Sequence, residues 1–198
     1  QPIKFRRIMR DPFRKIPFNY TSAGDDQIIV HLFGNEILST IHALETLKGT
    51  GRSSRLLHRF MGDLFVIRRN AFLFQELVEH PRLRRQLFTE FEHDLVNIAG
   101  HAKHNEVRIV LGACRSSLEQ LKSQINAVAK EQARILRRLA PVVGKANIYF
   151  DPFNITSHAT DATDWRRYMP AAVLRPDREV QVPKLVKNLK NLKFHIIP

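Results

Sequence analysis

The chain has 198 residues, 43% of them hydrophobic, and carries a net charge of +13 with an isoelectric point near 10.5. That is room for one large domain, or one domain and part of another, around a packed core. A lone cysteine, Cys114, excludes an internal disulfide and any iron–sulfur cluster built within these residues, and no apolar run reaches the roughly 18 residues of a membrane span.

Residues 1–15 form a basic arm in which Lys and Arg far outnumber the one acid, Asp11. The arm lacks the apolar core and small-residue cleavage site of a secretory signal. A turn-rich entry with Pro17, Asn19, Ser22 and Gly24 leads to Asp25 and Asp26, which read as the cap of a helix carrying Ile28, Ile29, Leu32 and Phe33. Gly34 and Asn35 punctuate it, and a second helix is expected over 36–48 with Ile37, Leu38, Ile41, Leu44 and Leu47 on one face.

The basic glycine segment Lys48-Gly-Thr-Gly-Arg-Ser-Ser-Arg55 opens a helix. Backbone N–H groups with Arg52 and Arg55 offer a phosphate site, but the spacing fits neither the NTPase loop nor the dinucleotide fingerprint. Ser53 or Ser54 acting as a helix cap explains the same residues without a ligand. The run Leu64-Phe-Val-Ile67 reads as one buried strand, with the run near Asn147-Ile-Tyr-Phe150 as its partner. A helix from Phe72 stops before Pro81, and Leu83, Leu87, Phe88, Phe91, Leu95 and Ile98 mark another that ends near Gly100.

The longest element is expected over 107–139. Val107, Cys114, Leu121, Val128 and Ile135 recur every seven residues, as do Leu111, Leu118, Ile125, Gln132 and Leu139, with Gln132 the only polar member. The pattern describes a helix of about 50 Å. It packs either against the 83–98 helix as a hairpin or against a second copy or partner subunit as a coiled coil. Pro141 and Gly144 end it, Gly112 weakens its first turns, and Cys114 lies on the seam as a core thiol.

Two constellations invite a chemical reading. His93, His101 and His104 lie near Glu90 and Glu106, but their spacing matches no established zinc site, which leaves solvated histidines in a helix connection. His158, Asp161 and Asp164 hint at acid–base work, but Thr and Asp here also read as turn caps. Neither set is assigned a catalytic or metal role. The last forty residues then show a strand pattern at Ala171–Leu174, a turn at Arg175-Pro176-Asp177, and a helix from near Val180 with Pro183 in its first turn. Asp177 reads as its cap, and Phe194–Ile197 is a second apolar run. Strand, helix and strand is a βαβ unit.

The wording His158-Ala-Thr-Asp161-Ala-Thr-Asp164-Trp165, Pro170, an apolar strand, Arg175-Pro176-Asp177, a helix and Ile196-Ile197-Pro198 resembles the opening of the FAD-binding domain (PCMH type) of FAD-linked oxidases, the family of D-lactate dehydrogenase, glycolate oxidase and vanillyl-alcohol oxidase. Upstream, Lys15–Ser22, Gly49–Arg55 and Gly62–Asn70 resemble the uncharacterised N-terminal domain of large bacterial FAD/FMN-containing dehydrogenases. The resemblance implies that Ile-Ile-Pro198 is followed by an Arg-Gly-Gly-Gly-Thr loop whose backbone N–H groups hold the FAD pyrophosphate. Pro198 is then the one residue placed beside the cofactor, and the catalytic base belongs to a later domain. Trp165 would pack where the two domains meet.

The expected fold is α+β, in three parts: the basic arm 1–15, a mainly helical N-terminal domain at 16–145 with a long helical hairpin, and the start of an FAD-binding domain at 146–198, ending before the glycine-rich loop. The expected function, implied by the resemblance, is the N-terminal fragment of an FAD-dependent oxidoreductase that oxidises a 2-hydroxy acid such as D-lactate by hydride transfer to flavin. The fragment itself would be structural or docking. The alternative is a stand-alone basic helical module binding nucleic acid non-specifically, drawn from charge alone. The expected location is cytoplasmic, with a peripheral place at the membrane left open.

Overall fold

The computed structural model describes residues 18–47, 51–159 and 169–197. Five helices precede the longest one: α1 (Asp25–Phe33), α2 (Asn35–Thr46), α3 (Gly51–Arg69), α4 (Ala71–Glu79) and α5 (Pro81–Gly100). Then α6 runs from Asn105 to Val143 without a break, 39 residues or about 58 Å at ~1.5 Å per residue. A short strand β1 (Ile148–Tyr149), α7 (Pro152–Ser157), a second strand β2 (Val173–Leu174) and α8 (Val182–Leu192) follow. The protein is mainly helical with one small two-stranded sheet among the described residues. None of the described helices is long and apolar enough to cross a membrane.

The seven-residue repeat becomes the spine of the fold. Val107, Leu111, Cys114, Leu118, Leu121 and Ile125 are buried in a core shared with Ile28 of α1, Leu44 of α2, Phe60 and Leu64 of α3, Leu77 of α4 and Leu95 of α5. Helix α5 folds back on α6 across residues 101–104, so the hairpin forms, and the apolar stripe is filled from within the chain. Ile135, Leu139 and Val143 belong to a second, smaller core with Ile148 and Leu185. Gln132 falls between the two cores, and its amide donates to Gln75 Oε1 of α4 at 3.4 Å.

Helix α6 passes through Pro141, which forfeits only the bond to the carbonyl of exposed Arg137, and stops at Gly144. There φ reaches +82°, a conformation that disfavours any side chain, and the Gly144 N–H donates to Ala140 O at 2.9 Å.

Several expectations are corrected. Leu64–Ile67 is not a strand but part of α3, near its C-terminal end. Leu57, Phe60, Met61, Leu64 and Ile67 recur at three and four residues, and Val66 is 52% exposed, which a strand buried on both faces would not allow. Its supposed partner β1 instead pairs antiparallel with β2, Ile148 opposite Leu174 and Tyr149 opposite Val173. Arg175 of that hairpin lies over the Tyr149 ring, 4.7 Å from its centroid.

The expected βαβ unit is present only as strand and helix. Residues 194–197 form no strand, because β2 is paired by β1 and no further strand lies beside them among the described residues. Phe194 packs into the second core while Ile197 is 78% exposed. Pro183 does sit in the first turn of α8. Asp177 is not its cap: Gln181 Oε1 reaches back to the N–H groups of Asp177 and Arg178 at 2.9 and 3.2 Å, and the Asp177 carboxylate accepts from Asn147 Nδ2 at 2.6 Å. At the start of the chain, Gly24 rather than an aspartate caps α1, its N–H held by Gln27 Oε1 at 3.1 Å.

Two outcomes follow from this packing. Leu121→Ala is expected to lower unfolding free energy by about 2–5 kcal/mol, while Val66→Ala stays within ~0.5 kcal/mol; denaturant titration of the two variants checks the contrast. Burial pushes the Cys114 thiol up to about 12. The unfolded chain releases that proton near the ordinary value of 9, so above it the folded state binds more protons and stability falls as pH rises. The slope from this group is about 1.4 kcal/mol per pH unit, measurable as the difference between the native chain and Cys114→Ala above pH 9.

Candidate docking groove

One-residue joints connect α3, α4 and α5. Asn70 alone links α3 to α4, its side chain accepting from the Leu73 N–H at 3.1 Å, and His80 alone links α4 to α5, with Pro81 opening the next helix. Such short joints turn the chain sharply and keep the three helices from lying flush along their lengths. The space left is a cavity of about 670 Å³. Ile67, Leu73, Leu77, Leu87 and Phe91 line it with apolar surface, and Val66 and Leu83 stand half-exposed beside it.

The polar lining is unlike the rest of the molecule. Asp63, Glu90 and Asp94 line it beside a single guanidinium, Arg59, in a chain with a net charge of +13. Arg59 Nε lies 3.9 Å from Asp63 Oδ2, Glu90 accepts from Gln86 Nε2 at 3.1 Å, and the His93 ring sits 3.3 Å from the Asn97 amide. The arrangement offers burial to apolar side chains and attraction to cations around them.

The end of α3 anchors the segment that enters the fold. Arg69 Nη2 binds Asp25 Oδ1 at 2.6 Å and the Ala23 carbonyl at 3.1 Å, and its Nε donates to the Tyr20 carbonyl at 3.3 Å. Arg68 lies 5.8 Å from the Tyr20 ring centroid and donates to Gln124 of α6, while its Nε and Nη2 are buried without a hydrogen-bond partner among the described residues. Phe18 stacks flat on His31, with ring centroids 3.9 Å apart. Burial holds the His31 imidazole below its usual range, and the nearby Arg68 charge pushes the same way. Burial likewise lowers Arg68, against the opposing pull of Tyr20.

The residues singled out in the sequence scatter. Arg52 and Arg55 are exposed on the first turns of α3, and residues 48–50 lie outside the described part. Ser53 and Ser54 are not caps. Both are buried, Ser53 Oγ donating to the His101 carbonyl at 2.8 Å and Ser54 Oγ lying 3.4 Å from His58 Nδ1. That is a tie between α3 and the α5–α6 connection, 48 positions away.

His93 lies on the groove, His101 follows α5 with Nδ1 donating to the Asn97 carbonyl at 2.8 Å, and His104 precedes α6. No three His, Cys, Asp or Glu side chains among the described residues are grouped to hold a metal. His158 Nδ1 donates to the Asn154 carbonyl at 2.8 Å. The arm 1–15, Asp161, Asp164, Trp165 and Pro198 lie outside the described residues. Of the groove's acids, Glu90 was noted in the sequence only beside the histidines; Asp63 and Asp94 were not singled out, because no local spacing links them to one site.

Residues 11–123 match the model of a family described as "Protein of unknown function (DUF3683)". The chain belongs to the DUF3683 family. No curated protein and no solved structure matches it. The DUF3683 match includes the groove, α1 to α5, and α6 as far as Ser123, close to where the first core ends at Ile125.

An NMR titration is expected to show His31 taking up its proton at lower pH than a free imidazole. Its contribution to stability is therefore present above the free value and lost as pH falls below it. Arg68→Gln should move the His31 midpoint upward only in part, since burial, the larger cause, remains.

Proposed function

We propose that this chain is the front of an FAD-linked dehydrogenase: a helical docking domain at 16–145, followed at 146–198 by the opening of the FAD-binding domain. The observation that carries the reading is the unbroken α6, which contributes Leu121 and Ile125 to one core and Ile135, Leu139 and Val143 to the next. A continuous helix has no hinge, so whatever is built onto β2 and α8 keeps a set position relative to the DUF3683 groove. The exposed Val180, Val182, Val186 and Ile197 around α8 agree with a unit that is covered by more of its own domain.

In this reading the complete protein oxidises a 2-hydroxy acid such as D-lactate, with hydride passing from the substrate C2 to flavin N5. The chain's own share is positional. The FAD pyrophosphate belongs to an Arg-Gly-Gly-Gly-Thr loop after Pro198, so no step of the chemistry is routed through the described residues. Support comes from the residue wording at 158–198 and from the placement of Pro183 at the start of α8.

The reading frame beyond the Pro198 codon, expressed whole, is the test. It is expected to yield a flavin-bound protein whose flavin content or activity falls when residues 16–145 are deleted. A reading frame without the glycine-rich loop, or a product without flavin, sinks the dehydrogenase reading. Unchanged flavin content, activity and oligomeric state on deletion sinks the docking role.

One observation favours the second reading, a basic module for nucleic acid. Lys184, Lys187 and Lys190 recur along α8, Lys193 follows, and α8 contains no acid. Retention of DNA that weakens steeply with salt, in a protein without flavin, would favour it.

A further inference from the structure

We infer that the groove between α3, α4 and α5 seats a helix from a partner protein. The occupant is an amphipathic helix of about three turns, apolar on one face, with lysine or arginine on both flanks of that face. Every residue of the site is described, and the flavin and nucleic-acid readings do not bear on it.

The shape suits a helix. Ile67, Leu77 and Phe91 are the buried part of the lining, while Val66 at 52% and Leu83 at 42% exposure stand beside it. The space is therefore an open trough and not a closed chamber for a small molecule. Along α5, the wall from Leu83 to Asp94 is about 17 Å long at ~1.5 Å per residue, or about three helical turns. All three walls are helices, whose backbone N–H and C=O groups are spent on their own turns. An extended segment finds no strand edge there to pair with. A helix needs none, since it satisfies its own backbone and offers side chains at i, i+3, i+4 and i+7.

The charge decides which helix. Asp63 belongs to the α3 wall, Glu90 and Asp94 to the α5 wall, so carboxylates flank the apolar lining on both sides. Arg59 is the one guanidinium of the lining, and it lies 3.9 Å from Asp63. Glu90 is met only by a neutral donor, the Gln86 amide at 3.1 Å. Asp94 is half-buried and has neither a hydrogen bond nor an ion pair among the described residues. A carboxylate in that setting gains from an incoming cation what its described neighbours do not supply. Nucleic acid, anionic lipid and acidic helices meet repulsion at this groove, although the chain as a whole carries +13. A basic amphipathic helix meets apolar contact and opposite charge together.

The probe is a labelled synthetic peptide of about 14 residues, with leucines at i, i+3, i+4 and i+7 and lysine elsewhere. Its binding to the intact chain is read by fluorescence anisotropy at low salt. Two further peptides separate the causes. One keeps the leucine spacing and replaces lysine with glutamate; the other keeps leucine and lysine content but alternates them. The field of the whole chain favours the glutamate peptide, so a preference for lysine belongs to the groove. The first peptide is expected to bind about tenfold more tightly than either of the others. Asp63→Asn with Glu90→Gln and Asp94→Asn, all at exposed or half-exposed positions, should abolish the lysine preference while circular dichroism shows unchanged helix content. Should that variant lose helix, Glu90→Gln alone is read in its place and is expected to reduce the preference. Binding of the glutamate or the alternating peptide as tight as that of the first overturns the proposal, as does a lysine preference that survives undiminished in the variant. A dimer mass in light scattering that reverts to monomer in the variant also overturns it and gives the groove to a second copy.

Discussion

Val107, Leu111, Cys114, Leu118, Leu121 and Ile125 lie on one side of α6 at no more than 4% exposure. The removal of that stripe from water is the interaction on which the other elements depend. Helices α1 to α5 range from 9 to 20 residues, and α1, α2 and α4 fall at or below the length at which an isolated helix is even marginal. Each gains by laying its apolar face against the common stripe, where a fully buried aliphatic side chain contributes about 1.5–3 kcal/mol. Lys122 adds a polar stitch at the edge of this contact. Burial pulls its ammonium down, but hydrogen bonds and charge from Glu92 of α5 and Glu119 outweigh that and raise it.

The same stripe sets where the first core ends. Gln132 occupies a position that the repeat would fill with an aliphatic, and it is satisfied by buried Gln75 rather than by packing. The buried Gln75 side chain is tolerated there because the half-buried Gln132 supplies a hydrogen-bond donor to it. Its cost is an interruption in apolar contact, and the second core begins three residues later at Ile135. Helix continuity then does what side-chain packing does not, carrying one rigid rod through both cores. Helix α7, capped by Asp151, which accepts from the Asn154 N–H at 3.0 Å, adds a further contact back to α4.

The groove arises from the opposite cause, a place where packing is prevented. Joints of one residue at Asn70 and His80 allow sharp turns but no adjustment of register between consecutive helices, so apolar faces are left partly uncovered. The flanking residues explain why this surface is not simply sticky. Carboxylates beside an apolar lining repel other acidic groups, so the uncovered surface is not indiscriminate.

The helices were legible from the sequence because their determinants act over one or two turns. The spacing of Leu44, Phe91 and Leu118, the breaks at Gly34, Pro81 and Gly144, and the place of Pro183 all depend on residues within reach of their own backbone. The buried character of Cys114 followed from its place in the repeat. Leu64-Phe-Val-Ile67 was misread because a short apolar run looks the same in a strand and in a buried helix face. Only the exposure of Val66, and the lack of a neighbouring strand among the described residues, decide between them. The pairing of Ile148–Tyr149 with Val173–Leu174, the bond from Ser53 to the His101 carbonyl, and the meeting of Asp63 with Glu90 and Asp94 around one cavity join residues far apart along the chain. No local pattern encodes such meetings. The sequence by itself determined most of the helices and their buried sides, through periodicity and backbone chemistry. Tertiary structure decided strand pairing and the groove, because both exist only between segments that the folded core brings together.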